Sequence, residues 1–81
     1  MDLLKKKYTE QLYKVIVRDI KQNEIIMERR NLHGNESMDV FNGLKDHFKI
    51  LTPANIKISK AYAKNDEYRI ILQKQRRKRL L

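Results

Sequence analysis

The 81-residue chain has no cysteine and no tryptophan, only two glycines and a single proline. Without cysteine there is no disulfide framework, no Cys-ligated zinc site and no thiol nucleophile. Gly34 and Gly43 alone cannot build a glycine-rich phosphate cradle, so a P-loop or a dinucleotide-binding turn is excluded. No stretch reaches the ~18 apolar residues of a membrane span. The first residues, Met-Asp-Leu-Leu-Lys-Lys-Lys, lack the apolar core of a signal peptide. These absences predict a soluble, cytoplasmic protein with no membrane partner. At 9.8 kDa the chain is expected to be a single small domain, 1–81. Such a chain buries about 64% of its surface, enough for one sheet and one or two helices.

What the sequence has in excess is positive charge. Lysine and arginine number 19 against 10 acidic residues, a net +9. Residues 1–10 carry +1, 11–33 carry +2, 34–55 carry −1 and 56–81 carry +7. Lys74, Arg76, Arg77, Lys78 and Arg79 form a dense cluster in a basic C-terminal tail, 74–81. Charge this lopsided points to a polyanion or an acidic protein surface as partner. A solvated basic tail is the plain alternative.

The periodicities predict an α+β fold: a short N-terminal helix, then ββαββ, with a four-stranded antiparallel sheet and one helix packed on one face. Leu4, Tyr8 and Leu12 recur every four residues, giving a helix over 2–12. Tyr13, Val15, Ile16, Val17 and Ile20 favour a strand over 13–20. Lys21-Gln22-Asn23-Glu24 turns the chain into a second strand over 24–30. A helix over 36–50 follows, capped by Asn35 or Ser37, with Phe41, Leu44 and Phe48 on its buried face and Val40 and Leu51 at the margin. Gly43 in mid-helix predicts close approach of another backbone, and Thr52-Pro53 predicts the helix end. Residues 56–63 read as one strand, Lys64-Asn65-Asp66-Glu67 as a turn and 68–74 as the partner strand. The expected core positions on the sheet are Val15, Val17, Ile56, Ile58, Ile70 and Leu72. The other face then carries Lys14, Ile16, Arg18, Lys57 and Arg69. An antiparallel sheet can leave such a face in water.

Signatures of catalysis are missing. His33 and His47 fit no zinc spacing, and neither Ser37 nor Ser59 lies in a nucleophile elbow. Asp19, Glu24 and Glu28 lie across the first hairpin and offer carboxylates for Mg²⁺, but cross-strand pairing with Lys21 or Arg30 accounts for them as well. A non-enzymatic protein without cofactor or metal is expected.

Nucleic-acid binding, to DNA or RNA, is better supplied. The candidate contacts are Lys14, Arg18, Lys57 and Arg69 on the sheet and Lys74, Arg76, Arg77, Lys78 and Arg79 in the tail, all able to neutralise phosphates. If the tail cluster makes its contacts, log K falls with log[salt] at a slope near ~−4.5 on duplex DNA or ~−3.5 on a single strand. Tyr8, Tyr13, Tyr62 and Tyr68 offer stacking surfaces, although Tyr62 and Tyr68 also fit an aromatic pair across the second hairpin. No named recognition motif is present. Small size, the absence of an enzyme signature and abundant Lys, Ile and Asn fit a phage or mobile-element accessory factor. The alternative is a protein-interaction module, such as a small inhibitor of the anti-CRISPR type or an adaptor, docking on a nucleic-acid-processing protein. Met38, Val40 and Leu51 would complete its docking patch. A homodimer through a sheet edge is compatible with both. In that case 56–63, with fewer charges than 24–30, is the expected contact strand.

Overall fold

A computed structural model describes residues 11–75. They form β1 (Tyr13–Asp19), β2 (Glu24–Leu32), α1 (Gly34–His47), β3 (Asn55–Lys57), β4 (Lys60–Lys64) and β5 (Tyr68–Lys74). The strands make one antiparallel sheet in the order β2-β1-β5-β4-β3. The expected α+β class with its ββα start and its helix on an antiparallel sheet is present, but the sheet has five strands, not four. The expected helix 2–12 falls almost wholly outside the described residues, and Gln11 and Leu12 carry no helix. Of the basic tail, only Lys74 and Gln75 are described.

The extra strand comes from residues 56–63. Lys57 pairs directly with Lys60, so Ile58 and Ser59 are a two-residue hairpin loop. Ser59 takes φ 62°, a conformation usually left to Gly or Asn. This turn resets the alternation. Ile56 and Ile58, expected in the core, are 60% and 96% exposed, while Ala61 and Ala63 are buried in their place. The same turn leaves β4 between β3 and β5, so of the expected dimer strand 56–63 only Ile56 and Lys57 lie in an edge strand.

The core lies between α1 and one face of the sheet. Val15 and Val17 of β1, Ile70 and Leu72 of β5, Ala61 and Ala63 of β4 and Leu32 of β2 surround Phe41 and Ile50. Phe41 is fully buried, whereas Leu44 and Phe48 are half-buried. Phe48 stacks at a tilt on Tyr68, ring centroids 4.6 Å apart. Met38 and Val40 pack against this core, so of the expected docking patch only Leu51 is free, at 90% exposure.

The helix starts earlier than its sequence signals suggest. His33, not Asn35 or Ser37, is the N-cap, in extended conformation, and Glu36 Oε1 accepts its backbone N–H at 3.1 Å. Ser37 is buried and donates its hydroxyl to Gly34 O at 2.6 Å. The helix also stops before Thr52-Pro53. Lys49 takes φ 56°, its N–H bonds Asp46 O, and the Ile50 N–H reaches back to Lys45 O at 2.9 Å. That is a Schellman cap, and burial of Ile50 accompanies it. Gly43 is exposed, and among the described residues a Cβ built there has nothing within 4 Å, so no close backbone approach accounts for it.

β2 is an edge strand whose first eight residues are all exposed. Two bulges interrupt its pairing with β1, one beside Asn31 at φ 60° and one at Ile26. Bulges of this kind twist an edge away from regular pairing.

Candidate nucleic-acid interface

The sheet face opposite α1 is built by the alternation that fills the core. Because Val15, Val17, Ile70 and Leu72 point to the helix, Lys14, Ile16, Arg18, Arg69, Ile71 and Gln73 point away. On β4 the buried Ala61 and Ala63 send Lys60, Tyr62 and Lys64 to this open side. On β3 it receives Asn55 and Lys57, which pair with Tyr62 and Lys60.

The register arranges these side chains in rows across the strands. In the central row Ile16 opposes Ile71, Ile71 opposes Tyr62, and Tyr62 opposes Asn55. Ile16, Ile71 and Tyr62 are half-buried against their neighbours. On one side of that row Arg18 opposes Arg69, and Arg69 opposes Lys64. On the other, Lys14 opposes Gln73, and Lys60 opposes Lys57. Opposed side chains in adjacent strands have Cβ atoms about 4.5–5.5 Å apart. The two basic rows therefore flank an apolar strip, each about 7 Å from it, two residues along the strands.

Arg18 is held by its hairpin: its guanidinium donates to Asn23 O at 3.3 Å and to Asn23 Oδ1 at 3.2 Å. Asn23 presents both acceptors from a left-handed conformation, φ 54°. The Arg69 guanidinium lies 5.8 Å from the Tyr62 ring centroid, a cation–π contact that ties the Arg18-Arg69-Lys64 row to the central one. The Arg69 Nε is buried and has no hydrogen-bond partner among the described residues. Glu28 of β2 opposes Ile16, but its Oε1 is already engaged by Arg30 at 2.7 Å. A shallow recess of about 200 Å³ opens beside the central row, lined by Asn55, Lys57, Lys60 and Tyr62.

Lys14, Arg18, Lys57 and Arg69 thus share one face, as expected from the sequence. Lys60, Tyr62 and Lys64 join them, although an unbroken strand over 56–63 would turn Lys60 and Tyr62 to the core. The period-two run Lys60-Ala61-Tyr62-Ala63-Lys64 carried the signal, with small residues inward and long ones outward. Lys74 does not join: it shares its side of β5 with Ile70 and Leu72 and is exposed at the strand end. Arg76, Arg77, Lys78 and Arg79 lie outside the described residues. Tyr62 and Tyr68 are not a pair. Tyr62 opposes Ile71 on the open face, whereas Tyr68 opposes Asp19 and packs on Phe48 in the covered layer. Tyr13 also belongs to the covered side, with its hydroxyl 3.5 Å from Ser59 Oγ.

Two of the three candidate carboxylates, Asp19 and Glu28, are occupied locally. Asp19 Oδ1 accepts the Gln22 N–H at 3.1 Å in the hairpin turn, and Glu28 pairs with Arg30 on its own strand. Among the described residues no three His, Asp or Glu side chains gather as a metal site, and no helix is long and apolar enough to cross a membrane. No protein-family model matches the chain, and neither a curated protein nor a solved structure is significantly similar to it.

Proposed function

We propose that the protein is a nucleic-acid-binding module that grips the phosphate backbone with the open face of its sheet. One observation carries this reading. Arg18, Arg69 and Lys64 stand directly opposite one another on three adjacent strands, and Lys57 stands opposite Lys60. Like charges in directly opposed cross-strand positions destabilise a sheet. A face that served only to meet water would alternate cations with carboxylates. Here the cations are massed around a half-apolar strip, an arrangement that an anionic ligand stabilises by replacing mutual repulsion with attraction. Phosphates on a polynucleotide supply such charges at regular intervals, and each neutralised phosphate releases a counterion.

The test is fluorescence anisotropy of a labelled oligonucleotide across a salt series. The variant with Lys57, Lys60 and Lys64 all replaced by Gln should bind more weakly and shift the slope of log K against log[salt] toward zero by about two units on a single strand. An unchanged slope removes the sheet face as the grip.

A protein-docking role is favoured by a different region. Ile25, Ile26 and Met27 are 47%, 46% and 37% exposed along the β2 edge. An apolar partner surface or a second copy packed on these side chains would cover them. Light scattering that shows only monomer at high micromolar concentration would remove self-pairing.

A further inference from the structure

We infer that the open face takes single-stranded rather than duplex nucleic acid, with an unpaired base entering the recess between Asn55, Lys57, Lys60 and Tyr62; this rests on the function proposed above and names its ligand class. Three features favour it. The strip between the basic rows is apolar and aromatic: Ile16, Ile71 and Tyr62. A duplex turns its sugars and phosphates outward and hides the flat faces of its bases, so it has nothing apolar to lay on that strip. A single strand does, and aromatic rings that stack unpaired bases are the usual platform for it.

The second feature is shape. A major groove admits a helix or a two-stranded ribbon. The open face is a sheet, about 14 Å across from β1 to β3 at the usual strand spacing, and the single described helix lies on its opposite side. Nothing among the described residues projects from this face to enter a groove.

The third is the recess itself. Its volume is about 200 Å³ and its lining supplies complementary chemistry. The Tyr62 ring offers a stacking wall. The Asn55 side-chain amide, opposite Tyr62 in the register, offers a donor and an acceptor to a base edge. Lys57 and Lys60 offer ammonium groups for the phosphates on either side. A base inside a duplex reaches this recess only after unpairing.

The experiment measures binding of a labelled strand of about 12 thymidines, as DNA, and of a duplex of the same length, to the full chain and to Tyr62→Ala and Tyr62→Phe. At one salt concentration the single strand should bind at least tenfold more tightly than the duplex. Tyr62→Ala should weaken single-strand binding by roughly tenfold with an unchanged salt slope, because it removes stacking and no charge. Tyr62→Phe should stay within about twofold of the parent, and it keeps the test readable if the alanine variant loses β4. Equal or tighter duplex binding, or single-strand binding indifferent to Tyr62→Ala in a folded variant, overturns this inference and leaves the phosphate-gripping function standing. Absence of binding to either probe overturns that function and this inference together.

Discussion

The two faces of the sheet are made by the same strands and differ in every physical respect. At the centre of the covered face Val15, Val17, Ala61, Ala63, Ile70 and Leu72 are short or branched and apolar, and they close around Phe41 with almost no solvent access. On the open face the neighbouring residues of the same strands are long and cationic, set around a narrow apolar strip. Ile70 and Ile71 are consecutive, yet Ile70 is fully buried under the helix while Ile71 points outward between Ile16 and Tyr62. The contrast separates what holds the protein together from what it presents. Stability resides on one face. The other accepts opposed like charges that a scaffold alone has no use for.

The comparison is tested most severely by Phe41→Ala. Emptying that site should cost ~3–5 kcal/mol, much of the stability of a domain this small, and thermal or urea denaturation will read it. A loss below ~1 kcal/mol would mean that the covered face is not the core. A smaller effect of opposite sign is expected from Gly43→Ala. The position lies inside the helix with no neighbour within 4 Å among the described residues, so alanine should stabilise by about 1 kcal/mol and raise the melting temperature by roughly 4–8 °C. The smallest effect belongs to the open face. Replacing Lys57, Lys60 and Lys64 by Gln should change stability by no more than about 0.5 kcal/mol, and upward if at all, since it relieves repulsion. A large destabilisation there would show that the basic rows are structural and would dissolve the distinction between the faces.

How much of this was legible in the sequence differs between the two halves of the sheet. The β1–β2 hairpin, the helix with its Phe41 and the sidedness of Val15, Val17, Ile70 and Leu72 followed from periodicity, because long alternating runs define a face without help from the turns. The β3–β4 hairpin did not. Its loop is Ile58-Ser59, with no Gly, Asn, Asp or Pro, and Ser59 adopts the left-handed conformation without a residue that advertises it. One hidden two-residue turn moved Ile56 and Ile58 out of the core and brought Lys60 and Tyr62 onto the open face. The helix end was hidden for the same reason, since Lys49 occupies the left-handed position usually signalled by glycine. Tyr62 and Tyr68 were separated by register, which residue spacing alone does not fix: they flank one turn but lie on opposite faces of the sheet. The turn itself is fastened by Asn65, whose Oδ1 accepts the N–H groups of Glu67 and Tyr68 at 2.8 and 2.7 Å while its Nδ2 donates to Phe48 O at 3.1 Å. That residue reads as an ordinary turn asparagine until the helix end is placed beside it.

The central claim, that the open face is the binding face, is tested most directly by methyl NMR of the isoleucines during titration with a single-stranded oligonucleotide. Ile16 and Ile71 report the open face, and Ile50 and Ile70 report the core. The account predicts that the Ile16 and Ile71 methyl resonances shift progressively to saturation while those of Ile50 and Ile70 stay in place. Saturable binding that moves Ile25 and Ile26 on the β2 edge, or Ile50 and Ile70, and leaves Ile16 and Ile71 unmoved would contradict it.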